Sequence, residues 1–261
     1  MRDHGLHEAI RAVGGVSELA RRIGISQPSV SNWNRVPAER VLEVEAATGI
    51  ERIVLRPDLY GERKKLAGDI SEVDSARAQE YALLAALLGR APDADLLGRL
   101  AQLRGDATPL GVAHTALAEA ASDTTADADK VEREYFNLFI GLGRGELLPY
   151  GSYYLTGFLH ERPLARLRQD LNQLGVERAQ GIAEPEDHVA ILCEVMAGLI
   201  NGKFPAGPDA DREFFDKHMR PWVGRFFADL EQAETASFYR QVGTLGRLFV
   251  DIEMEAFALP S

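Results

Sequence analysis

The stretch "EPEDHVAILCEVMAGLI", residues 184–200, places Glu184, Glu186, Asp187 and His188 within five positions and then turns apolar. Val189, Leu192, Met196, Leu199 and Ile200 recur at helical spacing, with Cys193 beside them, so the segment predicts a buried helix. Pro185 suits a first helical turn, and Glu186 and Asp187 would then meet the positive end of the helix dipole. That reading accounts for the proline and the acids. It leaves His188 unexplained, an ionisable ring next to the first core residue.

A catalytic reading of the same residues fails on geometry. Adjacent helical side chains diverge by about 100°, so Asp187 and His188 do not form a dyad with each other. No Ser or Cys nucleophile stands in a recognisable motif. "GLGRG", 141–145, lacks the strand before and helix after that a phosphate loop needs. A metal reading fails on spacing: His188 and Cys193 are five apart, and His160 and His218 are scattered. The expectation is a binding site, with no catalytic residue, metal or cofactor.

Working outward, the fold class is all-α. Val/Ile/Thr alternation is nearly absent, and "RIVL", 52–55, is the one short strand candidate. "ARAQEYALLAALLG", 76–89, puts Tyr81, Leu84, Leu87 and Leu88 on one stripe. "DADKVEREYFNLFIGLG", 127–143, does so with Val131, Tyr135, Leu138 and Phe139. "PLARLRQDLNQLG", 163–175, runs from a proline to a glycine, and two further helical stretches lie at 211–233 and 237–259. Residues 143–163 are too irregular for one helix and too apolar for a solvated loop, so something must cover Leu147, Leu148, Tyr150, Tyr153 and Tyr154. Residues 121–129 read as a polar loop, with Asp127 or Asp129 starting the next helix. "LYGERKKLAGDISEVDSA", 59–76, is polar and predicts a linker.

Composition sets the remaining bounds. The 261 residues are 46% hydrophobic and 26% charged, as expected of a soluble globular protein. There is no run of the ~18 apolar residues that a membrane span needs. The N-terminus lacks a signal-peptide pattern. With a single cysteine there is no intrachain disulfide, and the cytoplasm is the expected compartment. Net charge is −11, yet residues 1–60 hold eight arginines against eight carboxylates, so the whole imbalance lies beyond them. An acidic body repels nucleic acid and attracts cationic ligands, which implies different partners for the two parts.

The first part has its own grammar. In "VSELARRIGISQPSVSNW", 16–33, Ser17 is a candidate cap and Leu19, Ala20 and Ile23 share a face. Gly24 suits a tight turn, Ile25 plugs the corner, Ser26 caps a second helix with Pro28 in its first turn, and Val30 and Trp33 return to the core. A further helix spans 37–49, from Pro37 to Gly49. The second helix exposes Gln27, Ser29, Ser31 and Asn32, with Arg35 beyond: small hydrogen-bonding groups of the kind that read base edges, Gln27 and Asn32 foremost. Arg21, Arg22, Arg35 and Arg40 are candidates for phosphate.

These residues, with "VPAERVLEVEAATGI" and "LRPDLYG", resemble the Cro/YdaS-type helix-turn-helix of phage and bacterial regulators over about residues 6–61. The resemblance implies operator DNA as a partner and a dimeric mode of action. Against it, the module has no net positive charge, so a domain that is silent towards DNA and serves only to dimerise the chain is the alternative.

A second resemblance covers residues 76–261. "YFNLF", 135–139, fits an aromatic-x-x-Leu-Phe signature and "EPEDH", 184–188, fits Glu-Pro-x-Asp-His. "GELLPYGSYY" lies between them and "HMRPWVGRFFADL" follows. In this order they resemble the TorD/DmsD/NarJ family of redox-enzyme maturation chaperones. The family implies an all-helical, non-enzymatic protein that binds the twin-arginine signal peptide and the apo-form of a molybdopterin oxidoreductase until its cofactor is inserted. It implies a peptide site at Tyr135, Leu138, Phe139, Tyr150, Tyr153, Glu184, Asp187 and His188, with Glu186, Asp170 and Tyr154 nearby. Gly151 stands where many members carry an acid, and Arg144 adds a positive charge. The "PYGSYYLTGFLHE" form resembles the branch associated with formate dehydrogenases. The expected organisation is thus a helix-turn-helix domain at 1–60, a linker at 61–75 and a TorD-like chaperone domain at 76–261. The competing reading is a transcription regulator whose second domain senses the client peptide.

Overall fold

The computed structural model describes residues 3–56, 71–124, 128–176 and 184–258. The chain divides into two compact units, one up to residue 69 and the other from residue 70. Among the described residues there are fifteen α-helices and no strands, only one isolated β-bridge. The all-α expectation holds.

The first unit comprises α1 (His4–Val13), α2 (Val16–Arg22), α3 (Gln27–Ser31), α4 (Val41–Thr48) and α5 (Arg52–Leu55). Its core is Leu6, Ala9, Leu19, Ala20, Val30, Val36, Val41, Val44 and Leu55, with Ile23, Ile25 and Trp33 packed against it. The turn between α2 and α3 places Gly24 at φ +71°, a left-handed conformation that favours glycine. Ser26 caps α3 by accepting the Ser29 N–H. Two expectations are corrected. Ser17 is not a cap: α2 begins two residues earlier than that cap implies, at Val16 after Gly15, which takes a positive-φ conformation that turns the chain directly into the helix. "RIVL" is no strand but the single helical turn α5, which buries Leu55.

The second unit begins with α6 (Glu72–Gly89), whose N-terminus is capped by Ser71 accepting the Asp74 N–H at 3.0 Å. Residues 72–75, expected as linker, are therefore the first turn of a helix. Residues 57–70, with most of the expected linker, and Asp127 lie outside the described residues. Next come α7 (Ala94–Leu100), α8 (Pro109–Thr124) and α9 (Ala128–Tyr135), which places Asp129 inside the first turn rather than at its cap. A π-turn, Phe136–Ile140, continues α9. Then follow α10 (Gly151–Thr156), α11 (Arg162–Gln173), α12 (Val189–Ile200), α13 (Ala210–His218), α14 (Val223–Gln232) and α15 (Phe238–Ala258). Pro221 separates α13 from α14.

α12 lies along α6, and α15 packs on α14 and α8. Gly246 lets α15 approach α14 closely: a Cβ there would fall 2.2 Å from the Phe227 ring. Tyr81, Leu84, Leu87 and Leu88 meet Val189, Leu192, Cys193 and Met196 in one apolar core. Inside this unit Arg77 donates two hydrogen bonds to Glu253, at 2.7 and 2.8 Å, and one each to Asp74 and Asp211 at 3.1 Å. Tyr81 also donates to Glu253, at 3.0 Å. Removing one partner of a buried ion pair leaves its charge uncompensated. Arg77→Met should thus lower the unfolding free energy of this unit by about 3 kcal/mol. Arg77→Met with Glu253→Gln should lose less than the single variant, as read by urea denaturation.

Candidate peptide-binding site

Two short segments cross in the second unit. The Gly151 N–H donates to the Asp187 carbonyl at 2.9 Å, and the Val189 N–H donates to the Pro149 carbonyl at 2.9 Å. Tyr150 and His188 are thereby paired as the antiparallel bridge. The Asp187 side chain completes the stitch: its Oδ2 accepts the Ser152 N–H at 2.7 Å, satisfying a backbone donor in the first turn of α10. Gly151 fits here because a Cβ would stand 3.1 Å from the indole Nε1 of Trp222. That packing explains glycine where an acid was expected from the family pattern.

His188 has a structural role the sequence did not reveal. The helix does not start at Pro185. Residues 185–187 form a turn, and α12 begins at Val189 with His188 as its cap. Its Nδ1 accepts the Ala190 N–H at 3.1 Å, so its proton belongs on Nε2. The acids consequently precede the helix instead of sitting in its first turn. Pro185 satisfies a turn as readily as a helix start, and the capping imidazole decides between them. His188 is buried, and burial pushes its pKa down to about 4 against the opposing pull of Glu184 and Asp187. It is neutral at pH 7.

The turn has a cavity on each side. One is a groove of about 770 Å³ whose lining includes Glu184, Glu186 and Glu194. Its apolar walls carry the small side chains of Ala82, Ala85 and Ala86 on α6 and Ile191, Val195 and Gly198 on α12, with the larger Leu171 and Phe204 beside them, and Arg168 and Lys203 also line it. Tyr150 donates to Glu184 at 2.6 Å, and Arg168 donates to Glu186 at 2.8 and 2.9 Å. Burial and the Glu184 carboxylate push the Tyr150 phenol up. The other cavity is a pit of about 350 Å³ lined by Asp187, Asp170, His218, Trp222 and Leu155, among others. His218 Nε2 lies 2.8 Å from Asp170 Oδ2, and Trp222 donates to the His218 carbonyl at 2.7 Å. Burial lowers the His218 pKa, with Asp170 opposing.

The structure brings Tyr150, Glu184, Asp187 and His188 together, and Tyr135 stands close enough to Glu184 for that charge to raise its phenol, after burial, to about 12. The other expected residues lie elsewhere. Leu138 is fully buried core, and Phe139 packs edge-on to Tyr239 in the same interior. Tyr153 accepts a hydrogen bond from Arg144 at 2.6 Å, and Tyr154 donates to Asp229 at 3.0 Å. None of these side chains lines the groove, whose apolar lining is alanine, valine, isoleucine, Gly198 and Leu171, with Phe204 as its aromatic. Ser152, Trp222, Ala82 and Ala86 were missed. A small residue on a helix reads as a packing site whether it faces a neighbour or an empty groove.

In the first unit Gln27, Ser29 and Asn32 are exposed on and just beyond α3, and Ser31 is half-buried. They bond among themselves: Gln27 donates to Ser31 at 2.7 Å, and the Ser29 and Ser26 hydroxyls are 2.7 Å apart. Arg22 is not poised for phosphate. It donates to Glu18 at 3.0 Å and to the Ala47 carbonyl at 3.1 Å, tying α2 to α4. Arg21 is bound bidentately by the same Glu18, whose pKa its two arginine partners lower to about 2. Arg40 pairs with Glu43, and Arg35 is exposed.

An all-helical chain with a helix-turn-helix unit and a helical unit grooved beside a Glu-Pro-x-Asp-His turn is the class of protein defined so far. Residues 103–228 match the family model described as nitrate reductase delta subunit, and residues 6–64 match that described as bacterial toxin YdaS. The second unit belongs to the TorD/NarJ family, and the first carries the YdaS-type helix-turn-helix. The chain is similar to the chaperone protein TorD of Vibrio cholerae serotype O1, 27% identical over 45% of this chain and 57% of that one. It is also similar to the chaperone protein TorD of Shewanella pealeana, 24% identical over 72% of this chain and 92% of that one. The chain spans 57% of the length of the first of these relatives. A putative redox enzyme maturation protein from Archaeoglobus fulgidus aligns over 72% of this chain and 99% of its own, at 20% identity and a TM-score of 0.46. No described helix is long and apolar enough to cross a membrane.

The His188 cap predicts a pH dependence. A histidine whose folded pKa is depressed stabilises the fold fully above its unfolded pKa of about 6.5, and that stability is lost as pH falls towards 4. Between pH 7 and pH 5 this loss is on the order of 2 kcal/mol. His188→Asn keeps an acceptor at the cap and should flatten the dependence in that window, as read by denaturant midpoints at the two pH values.

Proposed function

We propose that the second unit is a cytoplasmic maturation chaperone, not an enzyme, that binds the twin-arginine signal peptide and the apo-form of a molybdopterin oxidoreductase. The observation that carries this reading is the groove between α6 and α12. Its walls are largely apolar, with alanines along α6 and Leu171 and Phe204 beside them, as an apolar helix-forming leader requires, and Glu184, Glu186 and Glu194 outnumber Arg168 and Lys203 among its charges. The second unit also carries the chain's negative charge, which would steer a basic peptide towards it. The relatives' names as TorD chaperones support the class. A formate dehydrogenase is the proposed client, on the "PYGSYYLTGFLHE" form alone.

Calorimetry of the full chain with a twin-arginine leader of a molybdopterin oxidoreductase from the same organism is the direct test. Ala86 is exposed on α6 and lines the groove. Ala86→Trp should fill the groove without unfolding the unit and weaken binding about tenfold or more. Unchanged affinity would move the peptide elsewhere on the surface.

A second reading, a regulator whose second unit senses the peptide, is favoured by one observation: α3 presents Gln27, Ser29 and Asn32 to solvent in the first unit. In this reading operator DNA is bound by Arg22, Gln27, Ser29, Ser31, Asn32 and Arg35, in a homodimer. Peptide and DNA would then alter each other's affinity by the same factor. Because Glu18 occupies Arg21 and Arg22, phosphate binding must displace it. Glu18→Gln should tighten binding to the chain's own upstream DNA several-fold. It should also steepen the salt dependence by about one to two phosphate contacts. Gel shifts that show no complex with either protein at low salt would end this reading.

A further inference from the structure

Asp187 is 3% exposed, and only one of its two carboxylate oxygens is used by the fold. Oδ2 accepts the Ser152 N–H, while Oδ1 is buried without a hydrogen-bond partner among the described residues. A buried carboxylate oxygen left unpaired is costly unless a donor reaches it. This residue lines the pit behind the turn, not the groove in front of it. The pit is walled by Trp222, Leu155, 43% exposed, stands at its rim, and the Asp170 carboxylate in it is already engaged by His218 at 2.8 Å and Lys217 at 3.6 Å. Arg166 and Lys217 line it too. The unpaired Asp187 oxygen beside an indole suits a planar cation with several donors. Rim cations suit the backbone carbonyls of the peptide that carries it.

Resting on the peptide-binding reading above, we infer that the pit is a separate subsite for one guanidinium group, so that the two arginines of a twin-arginine leader are read unequally. Successive side chains of an extended peptide project to opposite sides. One arginine reaches Asp187 Oδ1 in the pit. The other is left to the groove side, where Glu184 and Glu186 already accept from Tyr150 and Arg168 and Glu194 is exposed to screening solvent. A charge-assisted bond to a buried acceptor outweighs one that must displace an existing partner at an exposed site.

The test is calorimetry on the full chain with leader peptides in which each arginine in turn is replaced by citrulline, its neutral isostere. One replacement should weaken binding about tenfold or more, and the other less than threefold. Asp187→Asn keeps an oxygen for the Ser152 N–H and removes the carboxylate. In that variant the sensitive arginine should become as dispensable as the other. Leu155→Arg, at an exposed position, should place a competing guanidinium at the pit and have the same effect, which guards against misfolding of the first variant. Equal losses from the two replacements, or a loss that persists in both variants, would overturn the subsite while leaving the peptide-binding reading intact. Failure of the unmodified leader to bind the wild-type chain would remove both.

Discussion

The second unit depends on a crossing in which one aspartate joins segments 35 residues apart. The Asp187 carbonyl and carboxylate accept the Gly151 and Ser152 N–H groups, the Val189 N–H returns the contact to the Pro149 carbonyl, and His188 between them caps α12 by accepting the Ala190 N–H. Neither segment has a long element of its own to hold it. α10 is six residues long, too short to be stable by propensity, and the turn before α12 has no internal ladder. The stitch therefore fixes both, and with them the boundary between groove and pit.

The two units solve the problem of charge differently. The second leaves its acids facing cavities, with a net surplus. The first closes its charges on itself: Glu18 holds two arginines, Glu43 holds Arg40, and Glu45 accepts from Arg52 at 3.2 Å. These exposed pairs contribute little stability individually. Their larger effect is to reduce the cationic field around α3, on which non-specific attraction to a nucleic acid depends.

Much of this architecture is legible in the sequence because helices announce themselves locally. Apolar period, Gly24 in its turn, Ser26 at its cap and the Pro163–Gly175 span all depend on residues within a few positions of one another. The site is less legible because its determinants are long-range. Nothing near Asp187 shows that its partner is Ser152. Pro185 fits a turn and a helix start equally well, so the true start of α12 turns on a histidine acting as a cap, a role more often taken by Ser, Thr, Asn or Asp. Aromatic residues near the motif suggest a ligand surface, yet Leu138 and Phe139 are drawn into the core by the area they bury. Ala82 and Ala86 shape the groove by what they lack, and absence of bulk carries no pattern.

The groove and the pit share α11 and the turn, yet each also has a wall that the other lacks. α6 faces the groove alone and α10 and the end of α13 face the pit alone, while α11 turns Arg168, Leu171 and Asn172 to the groove and Arg166, Leu167 and Asp170 to the pit. Substitutions on α6 alter the width and greasiness of the groove without moving Asp187, and substitutions at the end of α13 reshape the pit without touching the groove. The two faces are thus free to diverge at separate rates. A lineage built on this turn can change the apolar sequence it accepts while the charged contact stays fixed, or the reverse.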